Sequence, residues 1–231
     1  MNITKNWFYK ISNQTKEIFV WNNLVICIFD SENILKKITI WKNSKVEYFS
    51  FFYKQSFFKK HILLSWNDSY CEINSLIFSK NNQINCEIIW EINSSNSKIN
   101  MQITSFAKNN WDIKINWTLK INENTKKNSW FLKKENIFLW KNAKIFSSPV
   151  LLIKTNDVKV GHSCKVEKVS DRDLFYIMSR WISRERSVYM IMQAKIINLF
   201  KYLHTVDSKF HDKLIENILE KIFCKNIKKT I

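Results

Sequence analysis

Up to Val169, apolar and polar residues mostly alternate; beyond Ser170, apolar residues recur every three or four positions. Short runs rich in Ile, Val, Phe, Trp and Tyr begin near Glu17. Among them are Ile18 to Trp21, Leu24 to Phe29, Val46 to Tyr53, Tyr70 to Phe78, Ile84 to Ile92, Trp130 to Leu132 and Ile137 to Trp140. Alternation is clearest in Ile99, Met101 and Ile103, and in Ile113, Ile115, Trp117, Leu119 and Ile121. Side chains two positions apart share one face of a strand, so such rows bury one face and wet the other. Breaks of Asn, Ser and Lys recur about every ten residues, which predicts a many-stranded β architecture. Periodicity alone leaves sandwich, barrel and solenoid open. The chain has a single glycine, so its turns need another residue that tolerates positive φ, and asparagine does so best. Asn22-Asn23, Asn81-Asn82, Asn93 with Asn96, and Asn109-Asn110 stand at such breaks.

The helical period begins at a cap. Ser170 is followed three residues later by Asp173, which resembles a capping box, and Leu174, Ile177 and Met178 form the apolar face behind it. Ser183 reads as a second cap. It opens a longer helix with Val188, Ile191, Met192, Ile196, Leu199, Phe200 and Leu203 on one side. Asp207 or Ser208 caps a third, faced by Phe210, Leu214, Ile218, Leu219, Ile222 and Phe223. Amphipathic helices need an apolar surface to pack on. The pattern divides the chain into an N-terminal arm (1–16), a β body (17–169) and a C-terminal helical domain (170–231).

Composition narrows the classes. A chain of 231 residues can bury a sizeable core unaided. No apolar run is long enough to span a bilayer, and the N-terminus lacks a signal-peptide core. The five cysteines show no Cys-x-x-Cys spacing, so neither a zinc module nor a disulfide framework is expected, and a reducing, cytoplasmic compartment is. The net charge of +17 raises nucleic-acid or anionic-surface binding as a class. The lysines are scattered singly, however, and Lys, Asn, Ile and Phe are residues of A/T-rich codons, so compositional drift accounts for the charge better. The aromatics alternate within strands as core residues do, which weighs against a stacking platform for single strands. One glycine cannot build a phosphate-binding loop. There is also no Gly-x-Ser-x-Gly elbow and no His-Glu-x-x-His helix, and the chain is not expected to be an enzyme.

The stretch Ser148 to Ser183 joins the two periods and holds the only proline, Pro149, and the only glycine, Gly161. Its residues Pro149, Leu151, Ile153, Asn156-Asp157-Val158-Lys159, His162, Val166, Leu174-Phe175-Tyr176 and Ser179-Arg180-Trp181-Ile182-Ser183 match a signature in type and spacing. So do Asn136-Ile137-Phe138-Leu139 and Ala143 upstream. This signature resembles that of the SufB/SufD family, scaffold subunits of the SUF iron–sulfur cluster assembly machine. The match is tight over about 134–200; farther upstream only the strand pattern agrees. The resemblance implies a right-handed parallel β-helix followed by a small helical domain, with the family's N-terminal helical region missing. It also implies a SufB-type partner paired through solenoid edge strands, a SufC-type ATPase bound by the helices, and a transient iron–sulfur cluster at the complex interface. No tightly bound cofactor is expected in this subunit. In SufB an acid follows the signature histidine and a cysteine precedes the upstream strand. Here Ser163 follows His162, and Lys133 to Asn136 contain no cysteine. The chain therefore looks closer to SufD. A SufB-like scaffold, a homodimer through the same edges, and a basic β-rich binding module are the alternatives.

His162 is the foremost site candidate, because an imidazole can bind iron and shuttle protons near neutral pH. Beside Gly161 it is expected on a tight bend with an exposed ring. Cys164 lies on the same side of an extended chain and its thiolate could hold iron or sulfide, but a buried, structural cysteine is the more expected reading, because free cysteines are usually buried. For partner binding the resemblance points to Leu174, Phe175, Tyr176 and Arg180. His61, His204 and His211, with Cys27, Cys71, Cys86 and Cys224, show no ligand spacing. One residue breaks the family pattern: Trp181 stands where glycine would permit a positive-φ helix end.

Overall fold

The computed structural model describes residues 1–11, 15–30, 35–53, 57–79, 83–107, 112–139 and 143–223. Asn81, Asn82, Asn109, Asn110, Trp140 and Cys224 lie outside them, as does the basic segment after it. Two parallel sheets of seven strands each make a β-solenoid. One sheet, called A, runs β1 (Asn2–Ile3), β3 (Glu17–Val20), β5 (Lys37–Ile40), β7 (Phe57–Leu64), β9 (Ile84–Ile92), β11 (Asp112–Ile121) and β13 (Lys144–Ile153). The other, B, runs β2 (Phe8–Lys10), β4 (Val25–Asp30), β6 (Lys45–Phe52), β8 (Tyr70–Ser79), β10 (Lys98–Ala107), β12 (Asn128–Phe138) and β14 (Val158–Lys168). Each strand pairs in register with the strand one coil away, so the expected solenoid is what forms. Coils widen along the chain: stacked residues are 20 apart at Asn23 and Asn43, and 30 apart at Thr125 and Thr155.

Alternation places the inward rows of both sheets in one core, where Ile18, Ile38, Ile62, Trp90, Trp117, Leu119 and Trp130 meet. The turns explain how so many coils close with a single glycine. Asn23, Asn43, Asp68, Asn96 and Asn124 take positive φ, as expected of asparagine and as found for Asn23 and Asn96 among the positions named from sequence. They stack at one corner: the Asn43 side-chain amide donates to Asn23 Oδ1 at 3.0 Å, and the Asn96 N–H donates to the Lys126 carbonyl.

Two short strands lie within 1–16. β1 pairs with β3 and β2 with β4, so this segment contributes to both sheets. Two strand expectations also change. Trp130–Leu132 and the described part of the Ile137 run are one strand, β12, because Lys134 and Asn136 continue its inward row instead of breaking it. Gly161 lies inside strand β14 and has no positive φ, so the expected bend is absent. What glycine provides there is room: a Cβ would meet the Phe131 ring at 3.0 Å.

Four helices follow: α1 (Asp171–Met178), α2 (Arg184–Leu199), α3 (Lys201–Val206) and α4 (Ser208–Phe223). The expected caps form. Ser170 Oγ accepts from the Asp173 N–H at 3.2 Å, Ser183 Oγ from Arg186 at 3.3 Å, and Asp207 Oδ1 from Phe210 at 2.9 Å. The helix expected to run through Leu203 breaks at Phe200 (φ −102°, ψ 14°), giving α3. Met192, Ile196, Leu199, Leu214, Ile218 and Ile222 cover the outer face of sheet B, on Phe29, Phe49, Phe51, Leu76, Phe78 and Phe106. The molecule thus has three layers: sheet A, sheet B and helices. Among the described residues no helix is long and apolar enough to cross a membrane.

Candidate functional site

Both sheets stop at the C-terminal end of the solenoid. Among the described residues β13 and β14 each pair on one side only. Their inward rows therefore have no next coil above them, and Leu151, Ile153 and Val166 stand exposed, with Val150 and Leu152 beside them. Pro149 suits such a strand, because a residue without an N–H is tolerated at a sheet edge.

His162 and Cys164 sit on the inward row of β14, opposite Leu132 and Lys134 of β12. Both are exposed, as expected for His162 and against the burial expected of Cys164, and the exposure comes from the missing next coil and not from a bend. The His162 ring stands edge-on to Trp117 at 5.7 Å between centroids. Trp117 in turn packs against Trp130 at 5.2 Å and Trp90 at 6.0 Å. Its Nε1 donates to Ser147 Oγ on β13 at 3.2 Å. The imidazole therefore rests on a rigid aromatic floor that closes the core beneath it. The Asn136 side-chain amide faces Cys164 Sγ at 3.6 Å.

Lys134 was not among the residues picked from sequence. It is 2% exposed, and its Nζ has no hydrogen-bond partner among the described residues. Burial lowers its pKa to about 8 against the opposing pull of the Cys164 and Cys86 thiols. Burial also raises the Cys86 thiol well above its ordinary value, with Lys60 and Lys134 pulling it down. The open end thus gathers an imidazole, an exposed thiol and a nearly buried amine. Imidazole and thiol can ligate iron, and an ammonium favours anionic sulfur beside it. The sequence signal for Lys134 was its position in an alternating row whose other members, Trp130 and Leu132, are core residues.

The partner-binding candidates separate. Leu174 is 4% exposed and anchors α1 from below. Phe175 (77%) and Tyr176 are exposed, and the Arg180 guanidinium lies 4.6 Å from the Tyr176 ring centre and hydrogen-bonds its hydroxyl. Trp181 is fully exposed at φ 64°, its N–H donating to the Met178 carbonyl at 3.0 Å. The turn therefore keeps the left-handed conformation that suits glycine and places a tryptophan in it. Phe175, Tyr176, Arg180 and Trp181 form an exposed aromatic and cationic patch around the end of α1.

Residues 33–195 match the model of a protein family described as "SUF system FeS cluster assembly, SufBD core domain". An iron-sulfur cluster assembly SufBD family protein of Mycobacterium bovis is 32% identical over 72 residues, 31% of this chain and 8% of that protein. The iron-sulfur cluster assembly protein SufD of Escherichia coli is 34% identical over 59 residues, 26% of this chain and 14% of that protein. The matched segments span only a small share of these relatives. With the family match running from just before β5 into α2 and taking in both His162 and Trp181, the chain belongs to the SufBD family of SUF iron–sulfur cluster assembly proteins.

Proposed function

We propose that this chain is a non-catalytic, SufD-like subunit of a SUF scaffold complex. It pairs with a SufB-type subunit through β13 and β14 and binds a SufC-type ATPase through the patch around α1. The observation that carries the reading is the open end of the solenoid. Two unpaired strand edges and a row of exposed apolar side chains there surround His162. Unpaired edges template pairing with another chain, and an exposed apolar rim favours a partner over water. The same edges could pair two copies of this chain; the SufB-type partner is favoured because the open end offers an imidazole and a thiol without an acid next to them. In this reading the cluster is cargo. His162 and Cys164 touch its iron or sulfide transiently at the joint between subunits, and no cluster stays with this subunit alone.

Co-expression with SufB-type and SufC-type proteins tests the assembly. A stable three-component complex is expected, and failure to co-purify under gentle conditions counts against the reading. Within the complex, His162→Ala is expected to leave the fold unchanged and to lower cluster yield from iron and sulfide, read by visible absorption. Unchanged yield removes His162 from the site.

A further inference from the structure

The break between α3 and α4 brings together residues that sequence spacing does not mark. His204 lies in the last turn of α3 and His211 in the first turns of α4. Their rings meet edge to face, with centroids 5.1 Å apart. The Asp212 carboxylate stands beside them, its Oδ1 2.9 Å from His211 Nδ1. One nitrogen from each imidazole and one Asp212 oxygen all lie within 4.8 Å of one another. We propose that His204, His211 and Asp212 form a site for a divalent transition-metal cation, of the Zn2+ or Fe2+ class, that bridges α3 and α4.

Two independent observations support the site. The first is the ligand set. Two imidazoles and a carboxylate are the donors that borderline divalent cations take, with remaining positions left to water. The second is the state of His211. Its side chain is 5% exposed and its Nε2 has no hydrogen-bond partner among the described residues. A buried polar atom left unpaired is costly and calls for an explanation such as an ion. Hydrogen bonding within the protein therefore does not satisfy this ring.

The surroundings fit a cation that fastens the helices to the solenoid. Asp207 is extended (φ −152°, ψ 92°) and caps α4, so the chain reverses between the two histidines. Phe210, next to His211, packs on Phe8 and Phe29 at 5.2 Å each. The site thus lies over β2 and β4, at the far end of sheet B from His162 on β14. It is independent of the scaffold reading and stands or falls without it.

The test uses the full chain carrying His162→Ala and Cys164→Ser, so that the open end cannot supply a competing site. Zn2+, and separately Fe2+ without oxygen, are titrated by calorimetry and followed by thermal unfolding. One equivalent of at least one cation is expected to bind and to raise the unfolding temperature. Adding His204→Ala or Asp212→Asn, both exposed and so tolerable to the fold, is expected to weaken binding by roughly tenfold or more. The arm that binds tells zinc from iron. Absence of binding by either cation, or binding that survives both substitutions, overturns the proposal.

Discussion

At the residue scale, the open end of the solenoid holds an energetic conflict in Lys134. An amine whose folded pKa is near 8, below its unfolded value, carries charge more readily in the unfolded chain. Stability is therefore lowest below pH 8 and rises as pH climbs toward 10.5. Lys134→Met is expected to raise stability at pH 7 by roughly 2–3 kcal/mol, measured by urea denaturation. A variant no more stable than the parent at pH 7 would show that the buried Lys134 ammonium carries no such cost. Trp181 is a second local cost. A side chain at positive φ costs about 1–2 kcal/mol against right-handed backbone. Glycine recovers part of that, so Trp181→Gly is expected to add about 0.5–1 kcal/mol. It should also weaken SufC-type ATPase binding by about tenfold or more, since an exposed tryptophan carries binding energy well. Retained affinity would remove Trp181 from the docking surface. Sequence pattern exposed these two residues unequally. Trp181 stood out against a family glycine, whereas Lys134 showed only as a polar interruption whose burial depends on a strand 30 residues upstream and the thiol opposite.

At the element scale, the helices are fixed to the sheet by apolar packing and by a charged tie at Lys195. Lys195 of α2 donates to Glu135 of β12 at 2.6 Å and to Glu167 of β14 at 2.9 Å. Burial pushes Glu167 up, but hydrogen bonds with Lys165, Lys195 and Glu135 outweigh it and hold the carboxyl at about 2. For Lys195 burial pulls down, and the two carboxylates more than reverse it, leaving a raised pKa. The depressed Glu167 contributes stability that is full above its unfolded value of 4.5 and is lost as pH falls toward 2. The raised Lys195 contributes stability that is full below 10.5 and is lost at higher pH. The tie therefore acts from about pH 4.5 to 10.5. Lys195→Met is expected to cost about 1 kcal/mol at pH 7 and to flatten the loss of stability between pH 4.5 and 2. An unchanged acid limb would show that the tie does not hold α2. The helix caps at Ser170 and Ser183 were legible because capping is local chemistry. The α2–α3 break at Phe200 was not, because the apolar period runs through it and only packing on Phe49 marks it. The His204–His211 meeting depends on that break.

At the scale of the whole molecule, alternation and spaced asparagines announced a many-stranded body, while the choice of a parallel solenoid came from the family signature. Strand periodicity is the same whether neighbours are one hairpin or one coil away, so register was not readable from it. The coil stack also fixes where the molecule is incomplete. Among the described residues every inner strand is paired on both sides, and of the edge strands β1, β2, β13 and β14 the last two carry the exposed apolar rows. A buried charge costs least where it is answered inside. In the interior, Lys60 Nζ meets Asp30 at 3.0 Å and also bonds Tyr48. A cation placed on the open end has no such answer once a partner covers it. Leu151→Lys and Val166→Lys are exposed changes, expected to move monomer stability by no more than about 0.5 kcal/mol. Burying either lysine in a joint with a SufB-type subunit is expected to weaken association by at least about tenfold, or 1.4 kcal/mol, with the larger effect from the double substitution. Sedimentation of the mixed subunits measures it. If both variants pair as tightly as the parent, the joint lies elsewhere, and the exposed rows of β13 and β14 need a different covering.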